Sequence, residues 1–402
     1  MVTKPKDLRT GQSVWDARRE RGVAYLPLSA DVKTNVLVIG AGITGAIIAE
    51  ALSAAGHEVM VVDKRGPAKG STAASTALVQ YEIDTPLTHL ARKIGKPAAV
   101  RAWRRSRLAV DSLAARLHEL NPHEAVPRNT LFLEGNQLDA TGLLREQALR
   151  QSAGLASTFL DQGTVLSRFG ISGRAALLVH GDLVLNPRKT TLSFLRTAVM
   201  RKTRIFCPVE IVDLKTRRTG VVAISQQGYR IAAHHLIFAT GYEVPKDLPR
   251  TGHKVISTWA IATAPQLRRL WPEQCMIWEA SNPYLYLRTT ADGRIVCGGE
   301  DEDFSDETAR DALLSRKAKV LSRKLSRLLP AVNADVQFCW TGSFGETRTG
   351  LPKVGRIPGR PNCWVALGYG GNGITYAQIA SDIIVGALTG HPDADADLYD
   401  FR

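Results

Sequence analysis

The chain has 402 residues, 44% of them hydrophobic, with 52 Lys and Arg against 38 Asp and Glu for a formal charge of +14. That length and apolar fraction suit two intertwined globular domains, while no run of about 18 apolar residues is present to make a membrane helix. Five cysteines (Cys207, Cys275, Cys297, Cys339 and Cys363) are odd in number and hold no CxxC pair, which argues against a disulfide framework and a structural zinc site and suits a reducing cytoplasm.

Residues 1–34 read as a polar leader, with Trp15 and Tyr25 available to pin it to the body and no apolar core of the signal-peptide kind. From Asn35 the pattern changes. NVLVIG is a short apolar run, as expected of a strand buried on both faces; ITGAIIAEALSAAG has helical spacing; HEVMVVDK is a second strand. This is a βαβ unit whose turn, GAGITG, carries Gly40, Gly42 and Gly45, and Asp63 closes its second strand. The spacing fits a dinucleotide fingerprint: Gly40 for the tight turn, Gly42 to admit a pyrophosphate, Gly45 for close helix–strand packing, and Asp63 to accept hydrogen bonds from both ribose hydroxyls. The N–H groups that open the helix then face the phosphates.

GPAKGSTAAST (66–76) is a loop of small residues. A helix over about 97–120 follows, with Val100, Trp103, Leu108, Leu113 and Leu117 on its apolar side. TLFLEG (130–135) reads as a strand, 140–162 as a further helix, and Pro187 as the start of one running to about Met200. CPVEIVDLKT, GVVAISQQG and HHLIFATG are strand-like, and 255–264 and 284–299 alternate as sheet strands do. Residues 306–329 are helical with charges outward and are closed by Pro330. A last strand, CWVALG, and a last helix, ITYAQIASDIIVGAL, flank the glycine-rich GYGGNGI (368–374). HHLIFATG, an apolar strand ending in Ala239, Thr240 and Gly241, favours a flavin dinucleotide over NAD, and no second GxGxxG marks a nicotinamide domain.

On GAGITG with Asp63, GSTAAST (70–76), Val209, the Ala-Thr-Gly strand end, RTTADGRIVCGGE (288–300) and GYGGNGI, the chain resembles the D-amino-acid oxidase family, which includes glycine oxidase, sarcosine oxidase and γ-glutamylputrescine-oxidase-like members. The likeness covers nearly everything from about Ser13. It implies an α/β fold: a Rossmann-like FAD-binding domain of the glutathione-reductase type, with an interleaved α+β substrate domain on an antiparallel sheet. The expected division is a leader at 1–34, FAD-binding segments at 35–125, 180–255 and 342–402, and substrate segments at 126–179 and 256–341.

The resemblance implies FAD contacts from Gly40, Gly42, Ile43, Thr44, Gly45, Asp63, Lys64, Ser71, Thr72, Ser75, Thr76, Val209, Ala239, Thr240, Gly241, Gly370 and Ile374. Gly371, Asn372 and Gly373 would pass beside the flavin ring, where bare backbone N–H groups and a helix N-terminus stabilise negative charge at its pyrimidine end. Of the family's two carboxylate-binding arginines one matches Arg288, whereas Phe344 stands at the other position, so half of the clamp is missing. Gln80, Trp259, Tyr286 and Phe344 are the expected pocket, with Tyr284, Trp340 and Glu82 as further candidates. Cys339 is out of phase for covalent flavin attachment, so non-covalent FAD is expected.

The activity these residues point to is oxidation of a C–N bond of an amine or N-substituted amino acid to an imine. Oxidation of a 2-hydroxy acid is the alternative, and a basic flavoprotein acting on RNA or in a larger complex a third reading. The partners expected are a small-molecule substrate and oxygen or an electron carrier, with neither metal nor membrane span and with nucleic acid disfavoured. Scattered histidines give no metal-ligand spacing, and the positive charge leaves the choice of partner open.

Overall fold

The computed structural model describes residues 2–401 apart from 18, 122, 124, 247 and 249–251. NVLVIG lies in the strand Val32–Ile39, which pairs in parallel with Val59–Val62 on one side and Arg230–Phe238 on the other. Cys363–Leu367 and Arg204–Phe206 extend this parallel core outward. Strand residues alternate between the two faces, and both faces are covered. Val36 and Val38 pack among helical residues such as Ile47, Phe194 and Ile379, whereas Leu37 and Ile39 pack against Ile211 and Val221. The first face carries the helices Ile43–Ala54, Pro187–Met200 and Gly373–Leu388; the second carries the hairpin of Ile211–Arg217 and Gly220–Ser225.

A second, nine-stranded sheet runs from Val336–Glu346 at one edge to Leu78–Val79 at the other. It is mixed rather than antiparallel throughout, because Met276–Glu279 pairs in parallel with Ala125–Leu133. Three of its strands, Ala176–Leu185, Lys254–Thr263 and Val336–Glu346, cross the expected domain cuts at 179/180, 255/256 and 341/342. The short strand Leu78–Val79 joins this sheet directly after the small-residue loop, so that loop bridges the two sheets.

Local departures have local causes. The expected helix over 140–162 divides: Ala140–Ser152 starts on the Asp139 cap and stops before Gly154, whose φ is +73°, and Ser157–Leu160 then pairs with the second sheet. Gly95, at φ +85°, separates a helix at Leu87–Ile94 from the long one at Lys96–Leu120. Leu108 of that long helix faces solvent. In the leader Trp15 is buried and donates from Nε1 to the Ser75 carbonyl at 2.7 Å, while Tyr25 is exposed and pins nothing. Among the described residues no helix is long and apolar enough to cross a membrane.

Candidate active site

A long cleft starts at the carboxyl ends of the parallel strands. Gly40 takes φ +115°, and a Cβ there would lie 2.3 Å from the Ala239 carbonyl oxygen. A Cβ on Gly45 would lie 1.9 Å from the Gly40 oxygen, which is the close helix–strand approach its position predicts. Gly42 is the residue before the helix Ile43–Ala54, and the Thr72 hydroxyl accepts from Ile43 N at 3.0 Å, tying the small-residue loop to the helix start.

Asp63 is more committed than expected. Its Oδ2 accepts from Ala41 N at 2.8 Å, and its Oδ1 from Arg65 N and Gly66 N at 2.7 Å each. A carboxylate offers about four acceptor sites, so Oδ2 keeps one for a ribose hydroxyl rather than a full set for two. Beside it Lys64 pairs with Glu243 (2.9 Å) and Glu210 (3.6 Å), and Arg65 with Glu243 (2.7 Å).

The cleft gathers most of the expected contacts: Gly40, Gly42, Ile43, Thr44, Asp63, Lys64, Ser71, Thr72, Ser75, Thr76, Val209, Ala239, Thr240, Gly241, Gly370, Gly371, Asn372, Gly373 and Ile374, with Gln80, Tyr286 and Phe344 at its far end. Gly45 stays behind the turn as a packing residue. The Ser71 hydroxyl, on this wall, is buried without a hydrogen-bond partner. An orphaned donor, a bare-backbone turn, a free helix start and an acidic strand end along one cleft fit an elongated dinucleotide such as FAD. No cysteine lines it among the described residues.

Four expectations fail. Arg288 is buried away from the cleft: Nε donates to the Thr76 carbonyl, Nη2 to that of Leu185, each at 2.7 Å, and the guanidinium lies 4.9 Å over the Trp15 ring. Burial, with a smaller push from Arg128, lowers it to about 9. Its hydrogen bonds hold the small-residue loop, so it does not hold a substrate carboxylate. Trp259 points the other way, because adjacent strand residues face opposite sides and Thr258 takes the cleft side; the indole donates to Arg310 O inside a separate core. Trp340 is likewise core, donating to Ala74 O. Glu82 is neither exposed nor over the cleft: it is fully buried against Arg150 at 2.5 Å.

The glycine loop has a tenant the sequence did not reveal. Gly371 N donates to Asp84 Oδ2 at 2.7 Å, and a Cβ on Gly370 or Gly371 would sit 2.6 or 2.8 Å from the Asp84 carboxylate. Asn372 donates to Glu82 O and Thr375 to Gln80 O, fastening the start of the last helix to the segment after the small-residue loop. Beyond Asp84 the cleft opens into a second cavity that shares Trp278, Tyr284, Phe344 and Gly370 and adds Asp301. Sequence reasoning missed Asp84, Asp301 and Trp278. Nothing in IDTP or GGED gives a local sign, since long-range pairing alone brings them together.

The model of one protein family, described as FAD dependent oxidoreductase, matches residues 35–386. The chain is 26% identical over 435 aligned positions to a tRNA 5-methylaminomethyl-2-thiouridine biosynthesis bifunctional protein of Cupriavidus necator, covering 96% of this chain and only 62% of that relative. It is 22% identical to a glycine oxidase of Bacillus licheniformis, covering 89% of this chain and 94% of the relative. The crystal structure of glycine oxidase from Geobacillus kaustophilus superposes with a TM-score of 0.74 at 18% identity, over 92% of this chain and 98% of that one.

Proposed function

The chain belongs to the FAD dependent oxidoreductase family, and from that premise we propose that it oxidises a C–N bond of an amine or N-substituted amino acid to an imine, which water then hydrolyses. The observation that carries this reading is the continuity of the dinucleotide cleft with a cavity walled by aromatic and acidic side chains, with neither clamp position offering a cleft-facing arginine. Likeness to a glycine oxidase over most of both chains supports the same chemistry.

Non-covalently held FAD supplies a two-electron acceptor for the hydride of the substrate carbon. The protein's part is placement. The turn Gly40–Gly45 and the helix start at Ile43 and Thr44 receive the pyrophosphate, and Asp63 holds a ribose hydroxyl. Ser71 and Thr72 line the stretch beyond, and the Val209 backbone meets the adenine. Asn372 and Gly373, at the start of the helix Gly373–Leu388, would put N–H groups where bound FAD takes up negative charge, while the Gly371 N–H is held by Asp84. Gln80, Tyr286 and Phe344 bound the space for the reacting carbon. Oxygen or an electron carrier removes the electrons afterwards. Five free cysteines suit work in the cytoplasm.

The test is an anaerobic screen of amines, N-methyl amino acids and 2-hydroxy acids, watching flavin absorbance. Bleaching by amines is expected; bleaching by hydroxy acids alone would replace this reading with alcohol oxidation. A second reading, a side-chain amine on a modified tRNA, is favoured by the Cupriavidus relative and the +14 charge. Salt-dependent tRNA binding would support it.

A further inference from the structure

The cavity beyond the glycine loop runs against the charge of the whole molecule. Of the six acidic residues that line it, Glu279, Glu302, Asp303 and Glu346 are ion-paired, whereas among the described residues Asp84 and Asp301 are not, in a protein of charge +14. Both oxygens of Asp301 are buried without a hydrogen bond. The hydroxyls of Thr258 and Tyr284 are aimed at it as donors and oppose its rise, without closing a full hydrogen bond to either oxygen. Burial pushes Asp301 up to about 7, and the charges of Asp84 and Glu346 push in the same direction. Asp84 lies open to the cavity, and the protein crowded around it raises it to about 6, with Gly371 N–H opposing. Glu346 itself is answered by Lys254 at 3.1 Å.

Around these carboxylates stand aromatic faces. The Tyr284 and Tyr286 rings lie 5.4 Å apart, and Trp278 stacks on Phe132 at 4.1 Å, with Phe344 lining the same space. Of the basic residues that line the cavity, Arg92, Lys93, Lys254 and Arg348 are exposed, at its outer rim, and His89 is half-buried. The buried, unpaired Asp301 carboxylate costs free energy, Asp84 presents a second carboxylate to the same space, and aromatic faces attract cations, so these features suit one kind of guest.

We propose that Asp84 and Asp301, walled by Tyr284, Tyr286 and Trp278, form a seat for an alkylammonium group of the substrate. The class selected is an amine with no carboxylate on the reacting carbon, because a carboxylate placed there would face two acids instead of an arginine. The inference rests on the amine reading for its substrate class, but the seat is testable without turnover.

Two probes of equal shape and opposite charge serve, tert-butylamine and pivalate; neither bears a hydrogen on the carbon that would have to be oxidised. Binding to the FAD-loaded protein is measured by calorimetry and by the shift of the flavin absorbance. The ammonium should bind about ten- to a hundredfold tighter than pivalate, the range of one charge-assisted contact. In Asp301→Asn and in Asp84→Asn that preference should fall to within about threefold, with FAD content measured alongside. Equal binding of the two probes to the unmodified protein overturns the seat, whatever the variants do, and so does a preference that survives both substitutions. The outcomes stay separate from those of the parent reading. Amines that bleach the flavin without probe preference sink the seat alone, and a preferred ammonium with no amine ever bleaching sinks the proposed oxidation alone.

Discussion

Replacing Arg288 by Met asks whether that arginine grips a substrate or the protein itself. Methionine keeps most of the length and removes the guanidinium. Two hydrogen bonds from a charged donor go, to Thr76 O and Leu185 O, worth about 3–6 kcal/mol together. The cation over Trp15 goes as well, adding about 0.5–2 kcal/mol. Against this, a fully buried guanidinium costs several kcal/mol to desolvate, a cost methionine avoids. A net destabilisation of about 2–4 kcal/mol remains. Much of it falls on residues 75–76 of the cofactor loop, so FAD affinity should drop at least about tenfold. Urea unfolding of the FAD-free protein and fluorescence titration with FAD measure the two effects. A variant with unchanged stability and FAD affinity, but a raised KM confined to substrates bearing a carboxylate, would refute the loop-clamp argument and return Arg288 to the substrate.

Asp63→Ala should weaken FAD retention and also destabilise the FAD-free protein, since Ala41, Arg65 and Gly66 N–H groups lose their acceptor together; a loss of FAD binding with an unmoved Tm would confine Asp63 to the ribose. Gly371→Ala should disturb the loop because its Cβ meets Asp84 at 2.8 Å, whereas Gly373→Ala meets nothing nearer than 3.7 Å and should stabilise the FAD-free protein by about 0.5–1 kcal/mol as helix propensity dictates; equal effects at both sites on thermal unfolding would dissolve the distinction. Asp301 has a folded-state pKa of about 7 against 3.8 as the reference. The folded state therefore holds more protons between these values, and stability falls as pH rises through that window by at most about 1.4 kcal/mol per pH unit. Asp84 and Asp182 act in the same sense, so the readout is the difference from Asp301→Asn, which should grow from pH 5 to pH 7 in denaturant titrations; a flat difference contradicts the burial of this charge.

What was legible in the sequence is what the backbone does locally. A side chain at Gly40, Gly42 or Gly45 would meet the Ala239 carbonyl, the Thr72 hydroxyl or the Gly40 carbonyl, so the spacing of these glycines carried the cofactor cleft. Pro187 likewise marked a helix start that the structure keeps at Pro187–Met200. The substrate wall was not legible, for reasons of parity and distance. A tryptophan at 259 and a threonine at 258 look equally able to face a cavity until the sheet fixes which side is which. Arg288 shares a strand face with Tyr286 by alternation, yet the leader's Trp15 fills the space in front of it, and no local pattern reports a contact 273 residues away. Asp84 and Asp301 meet across still other elements, so only the assembled fold shows them as a pair.

The docking of the leader has a consequence for the order in which the molecule is completed. Thr10 exchanges hydrogen bonds with Thr341, Arg310 donates to the Asp7 carbonyl, and Trp15 lies between the Ser75 carbonyl and Arg288. During synthesis, residues 7–16 leave the ribosome hundreds of residues before 288, 310 and 341 do, so they have nothing to settle on until the second sheet is nearly whole. The earliest ribbon of the chain is thus among the last to be placed, and the cofactor loop waits for it.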